Sequence, residues 1–122
     1  MKIRIYPEDA IFSKYVRTRD KWICQRCGAQ HEEGSQGLHC SHFWGRGKWT
    51  TRFDDDNCSS ICFGCHNYFH ANPEEHRKWK LKQLGEKRFK NLMIRANMIG
   101  KKDHKLALII AKKLLEEELK KP

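Results

Sequence analysis

A chain of 122 residues and 14.5 kDa has room for one domain, or one small core with an appendage, and excludes two large domains. Hydrophobic residues at 39% and 13 aromatics supply a core and rule out wholesale disorder. No apolar run approaches the ~20 residues of a membrane helix, and residues 1–12 lack a signal peptide's apolar stretch, so a soluble, cytoplasmic protein with no membrane partner is expected. Against 15 Asp and Glu stand 25 Lys and Arg, and residues 71–122 carry +8 of the net +10, which suits either a polyanionic partner or a merely soluble Lys-rich helical face.

Pro7, Glu8 and Asp9 precede Ala10, Ile11, Phe12, Tyr15 and Val16 at helical spacing, predicting an amphipathic helix that ends near Arg19. Residues 28–37 are polar and carry Gly28, Gly34 and Gly37, so they read as a loop. Leu38 to Phe43 alternates as a strand, with Leu38, Cys40 and His42 on one face and His39, Ser41 and Phe43 on the other. Residues 45–57 have loop chemistry, with Gly45, Gly47 and the run Asp54, Asp55, Asp56, and Cys58 to Ile61 is a second short strand.

Helix is expected over 65–71, and then from Pro73 to Leu84, where Asn72 offers an N-cap, Glu74 and Glu75 suit the positive end of the dipole, and Gly85 stops the run. A third helical segment covers 86–97, and Asp103 caps a last helix through Lys120 whose apolar arc is wide enough to cover two surfaces. The reading is an α+β chain: a head over 1–71 and a basic helical extension over 72–122 packed on it, a single domain overall.

Six cysteines in a chain of cytosolic character favour ligands over disulfides. Cys24 with Cys27, and Cys62 with Cys65, form two C-x2-C pairs that can each place two thiolates on one ion from a tight turn, so a structural Zn2+ is expected. The 34 residues between the pairs exceed a simple ribbon and mark an insertion. Cys40 and Cys58 are read as small buried packing residues.

The insertion and the residues just beyond it hold the chemistry. His66 and His70 lie four apart on the expected helix and can present two imidazoles to one divalent ion, with His42 approaching from the strand opposite. Asn57 is neither a general base nor a strong ligand, but an amide can bond backbone and lock a histidine's orientation. Arg46, Lys48 and Arg52 flank these residues, and an arginine fork suits a DNA phosphate; the alternative is that they pair with Asp54, Asp55 and Asp56. Trp44 and Trp49 pack the loop or stack on an exposed base. His31, His76 and His104 read as surface residues.

The order His42, Asn57, His66, with eight residues between the amide and the second histidine, resembles that of HNH endonucleases. Longer stretches, among them LHCSHFWGRGKWTTRFDDDNC at 38–58 and CFGCHNYFHANPEEH at 62–76, are similar to the phage recombination endonucleases of the Rap/NinG type. The resemblance implies a zinc-stapled ββα-metal HNH core with an N-terminal helix and a helical C-terminal extension. It implies His42 as the general base that deprotonates water, Asn57 as its orienting residue, and His66 and His70 as ligands of a catalytic Mg2+, Mn2+ or Zn2+. Many HNH enzymes carry an acid or a histidine just before the base, where this chain has Ser41. That leaves the third protein position on the ion to water, to His39 or to His42.

Two functions compete on this reading. One is a metal-dependent nuclease, phage-encoded and acting in the host cell on DNA, including branched recombination intermediates; the other is a zinc-stapled DNA-binding module without catalysis. A homo-oligomer is compatible with either.

Overall fold

The computed structural model describes residues 4–122, so the first three residues of the expected head lie outside it. Among the described residues it is an α+β fold of one two-stranded antiparallel sheet and six helices. Helix α1 (Pro7–Arg19) begins with Pro7, whose missing N–H would have had no helical partner, and the Asp9 carboxylate accepts from the Tyr6 N–H at 2.8 Å. Its buried face carries Phe12, Tyr15 and Val16. The chain leaves α1 through Lys21 and Trp22, both at positive φ, and this turn drops the Trp22 indole into the core under the cysteine pairs.

Strands β1 (Leu38–His42) and β2 (Cys58–Cys62) pair with Leu38 opposite Cys62 and His42 opposite Cys58. The connection between them holds a four-residue helix, α2 (Trp49–Arg52), where sequence reading expects only loop. Its Lys48 N-cap supplies no side-chain cap, so the turn draws its stability from burial of Thr51 and Arg52 rather than from a local signal. The outer edge of β2 is covered: Arg19 donates to the Cys58 carbonyl at 2.9 Å, and the Ser60 N–H donates to Asp20 at 2.9 Å. An exposed row of unpaired backbone groups is thereby avoided.

Helix α3 (Phe63–Ala71) follows β2 without a loop, and α4 (Pro73–Leu84), α5 (Glu86–Ala96) and α6 (His104–Leu119) complete the chain. Gly85, at φ +82°, makes the bend between α4 and α5 that a side-chain-bearing residue would strain. Asp103 caps α6 by accepting from the Leu106 N–H at 2.9 Å. That helix returns to α1, where Ala111 packs among Phe12, Tyr15, Val16 and Cys58. Its wide apolar arc buries one side only, since Leu106, Ile109, Ile110 and Leu119 stay exposed.

A second core holds Trp22, Leu38, Ile61 and Phe69 beneath the cysteine pairs, and a third joins Leu84, Phe89 and Leu92 to Phe43 and Trp44. The third is where Trp44 packs; Trp49 packs on Phe53 and His104. His104 and His76 are not simple surface residues. His104 bonds the buried Glu8 carboxylate at 2.7 Å, and His76 stacks on Phe69 with ring centroids 4.3 Å apart. No helix among the described residues is long and apolar enough to cross a membrane.

Candidate active site and metal centre

The two C-x2-C turns, one after α1 and one at the β2–α3 junction, meet so that the Sγ atoms of Cys24, Cys27, Cys62 and Cys65 all lie within 4.8 Å of one another. Cys27 Sγ and Cys62 Sγ are 3.8 Å apart, the ~3.8 Å that follows for two sulfurs each ~2.3 Å from one ion at a tetrahedral angle. Backbone N–H groups of Cys27 and Cys62 donate to Cys24 Sγ. Burial opposes ionisation of that thiol, yet these N–H groups bring it down to about 6. Burial pushes Cys65 up to about 12, and the Arg26 guanidinium, bonded to its sulfur at 3.4 Å, works against that. The four cysteines could therefore hold a structural zinc, which would join α1's exit turn to the sheet and α3.

On the sheet and α3, His66 neighbours both His39 and His70, although these three are not among the side chains whose ligand atoms gather within 4.8 Å of one another. His39 Nδ1 lies 2.9 Å from His66 Nδ1, and the His66 and His70 rings are 4.8 Å apart by centroid, as the one-turn spacing requires. Burial, then the neighbouring His39 and His70, lowers His66, which favours the neutral, lone-pair-bearing ring. Two nitrogens each ~2.1 Å from one ion lie ~3.0–3.4 Å apart, so this pair is close to the separation that shared ligation needs. Ser41, in the position left open above, is buried and its hydroxyl has no hydrogen-bond partner among the described residues.

His42 ends β1 and lines two adjoining cavities of about 500 and 440 Å³, whose walls also include His66 and His70. Its ring is tethered: Nε2 lies 3.0 Å from the Arg52 carbonyl, so Nε2–H donates and Nδ1 keeps the lone pair. Burial brings His42 down to about 4 in spite of that carbonyl, so the imidazole is neutral at pH 7.

Asn57, fully buried, makes no hydrogen bond to the His42 ring. Its Nδ2 donates to the Trp44 and Thr51 carbonyls at 2.9 Å each, and its Oδ1 accepts from the Trp44 N–H at 2.7 Å. The amide thus clamps both ends of the α2 loop, and the carbonyl that holds His42 belongs to the residue after Thr51.

Arg52 requires a correction. It is 4% exposed and cannot reach a DNA phosphate. Its Nε and Nη2 grip the two Asp9 oxygens at 2.8 and 2.7 Å, and Nη2 and Nη1 also donate to the Arg4 and Arg46 carbonyls. Pairing of the loop cations with Asp54, Asp55 and Asp56 does not occur either. Those carboxylates take Arg95, Arg19 and Arg88. Lys48 is exposed and donates to the Ala96 carbonyl, whereas Arg46 lines the cleft. Asp9 was invisible as a site residue in the sequence, because its acidic position in a first helical turn already had a capping explanation. Arg77, on the wall of the smaller cavity, is a further cation at the cleft.

Compared with known proteins, residues 5–121 match the family model NinG, described as bacteriophage Lambda NinG protein. No curated protein and no solved structure matches the chain.

Proposed function

This chain belongs to the bacteriophage Lambda NinG family, and from that premise we propose that it is a metal-dependent HNH endonuclease that hydrolyses DNA phosphodiester bonds in the host cell. The observation that carries the reading is a histidine at the end of β1, tethered through Nε2 to the Arg52 carbonyl, in the same cleft as His66 and His70. In that state His42 keeps Nδ1 free to take a proton from the water that attacks phosphorus. The consecutive β1, β2 and α3 support the ββα-metal assignment, with His42 at the end of the first strand and His66 and His70 on the helix.

His39, His66 and His70 would hold the divalent cation, His39 taking the position that Ser41 leaves unfilled. Such an ion would neutralise charge on the phosphate and on the departing 3′ oxygen. Asn57 and the Asp9–Arg52 pair act as positioning residues through the α2 loop. Arg46 lines one of the two adjoining cavities and Arg77 the other, and both suit contacts to DNA phosphates.

Nicking of supercoiled plasmid with Mg2+, Mn2+ or no added metal, by wild type and His42→Ala, tests the proposal. His42→Ala should lose ~10²–10⁴-fold in rate while DNA affinity holds, because a base acts in the transition state and adds little to ground-state binding. Cleavage retained within about tenfold would remove His42 as the base. DNA binding by wild type without nicking in either metal would favour the non-catalytic zinc-stapled module.

A further inference from the structure

Cys40 and His42 sit two residues apart on β1, and Cys58 lies directly across from His42 on β2. Residues two apart on a strand share a face, as does the residue opposite in the ladder. A ring nitrogen of His42 and the two Sγ atoms accordingly fall within 4.8 Å of one another. Beside them stands the Arg52 carbonyl, 3.0 Å from His42 Nε2 and 3.9 Å from Cys58 Sγ.

Cys58 does pack against Phe12, Tyr15 and Val16, as a buried cysteine is expected to. Packing alone leaves unexplained why two thiols and an imidazole converge, since an aliphatic pair would fill the same volume. Cys40 and His42 both open onto the cavity of about 500 Å³, so an ion has a path to them from solvent. Two sulfurs and an imidazole nitrogen select zinc and softer ions over Mg2+, which prefers oxygen.

We propose that Cys40, His42 and Cys58 form a second metal site, for Zn2+ or its thiophilic analogue Cd2+, whose filling takes His42 out of use and silences the cleft. The silencing rests on the reading of His42 as general base; the site itself does not. Ligation replaces the Cys40 and Cys58 thiol protons, so two protons leave for each ion bound. The four-cysteine cluster staples the fold, whereas this site opens to the cleft and fills according to free zinc. A nuclease running on Mg2+ would then stop when zinc rises.

The test is zinc uptake by the full chain, already loaded at its four cysteines, dialysed against buffered free Zn2+. Wild type is compared with Cys40→Ser, with Cys58→Val as a variant that keeps the packing volume, and with a chain carrying His39→Ala, His66→Ala and His70→Ala. Near-ultraviolet circular dichroism and retention of the first zinc identify the folded variants. Wild type should take up a zinc that Cys40→Ser and Cys58→Val bind more weakly by at least the ~10–100-fold that loss of an outer-shell partner costs. The triple variant should keep it.

Equal uptake by wild type and Cys40→Ser overturns the site, and so does a loss confined to the triple variant. With Cd2+, the ultraviolet thiolate-to-metal absorption should fall in Cys40→Ser, and an unchanged band overturns the assignment. In Mg2+-supported nicking, each protein measured against its own zinc-free rate, wild type should be inhibited by zinc and Cys40→Ser should resist. Inhibition that is equal in both overturns the silencing. Cys40-dependent zinc uptake in a chain with no nuclease activity would refute the nuclease reading and leave the metal site standing.

Discussion

Asp9→Asn is the sharpest test of how the cleft is held in place. Asp9 and Arg52 are 8% and 4% exposed, and two charge-assisted bonds of 2.8 and 2.7 Å join them. Removing the carboxylate charge leaves a guanidinium buried without a counterion, which typically costs about 3–5 kcal/mol. A domain of this size has ~5–15 kcal/mol of stability in all, so the variant should melt roughly 10–20 °C lower. The pair also carries a pH signature. Burial works against the Asp9 carboxylate, but Arg52 and the Tyr6 N–H outweigh it and hold the group below its usual 3.8. A depressed folded value means the stabilisation is present above pH 3.8 and is lost as pH falls through the lower folded value, and Asp9→Asn should abolish that part of the acid transition. Urea denaturation midpoints of wild type and Asp9→Asn, compared at each pH from 3 to 7 with zinc release followed in parallel to separate protonation of the cysteine ligands from that of Asp9, measure both effects. The double variant Asp9→Leu with Arg52→Met, which removes both charges, should recover most of the loss. A single-variant loss below about 1 kcal/mol, the value expected of an exposed pair, would refute the argument that this pair is desolvated and locks the loop.

Replacing any of Cys24, Cys27, Cys62 or Cys65 by Ser should release zinc and unfold the head, because binding energy at such a site is folding energy; elemental analysis with circular dichroism decides, and a folded zinc-free chain counts against the staple. Lys80 is 1% exposed, and burial brings its ammonium from 10.5 down to about 8. The unfolded chain therefore binds this proton more tightly, stability rises as pH climbs from about 8 to 10.5, and at pH 7 the buried charge costs roughly 3 kcal/mol. Because Gln83 and Ser59 remain bonded to each other without it, Lys80→Met should stabilise the chain at pH 7 and lose the advantage by pH 10.5, as denaturation midpoints would report. Arg46→Gln and Arg77→Gln should each weaken binding to DNA of any sequence and flatten the log–log salt dependence by ~0.9; an unchanged slope would mean that these cations do not meet phosphates.

Most elements were legible because their signals are local. Pro7 with Asp9, Pro73 before Gly85, and Asp103 bracket α1, α4 and α6, and the alternation through Leu38–His42 marks β1. Convergence of the two C-x2-C pairs was equally readable, since each pair carries its geometry in four residues. The errors share one cause, which is sequence distance. Arg52 finds Asp9, 43 residues earlier, in preference to the acidic run two to four residues ahead of it. That run turns outward to Arg88 and Arg95 on α5, so two of the cations in the basic extension are already engaged. Helix α2 has no cap and no period of its own; Cys40 and Cys58 pack as the sequence suggests, and only the strand register places them beside His42.

What distinguishes the loop between the strands is that polar groups fill its interior. Asn57 and Thr51 are fully buried and Arg52 nearly so, where an apolar filling would have stabilised the loop more cheaply. Apolar contacts are non-directional and would leave the backbone free to settle in several ways; hydrogen bonds fix it to one. Asn57 ties the loop at Trp44 and Thr51, Arg52 ties it to Asp9 and to the Arg4 and Arg46 carbonyls, and the product of both ties is the direction of a single carbonyl. That carbonyl sets which nitrogen of His42 bears the proton. An exchange at Asn57 or Asp9 therefore acts on the His42 tautomer without a hydrogen bond to its ring, and the loop's sequence is constrained by the direction of one C=O more than by volume.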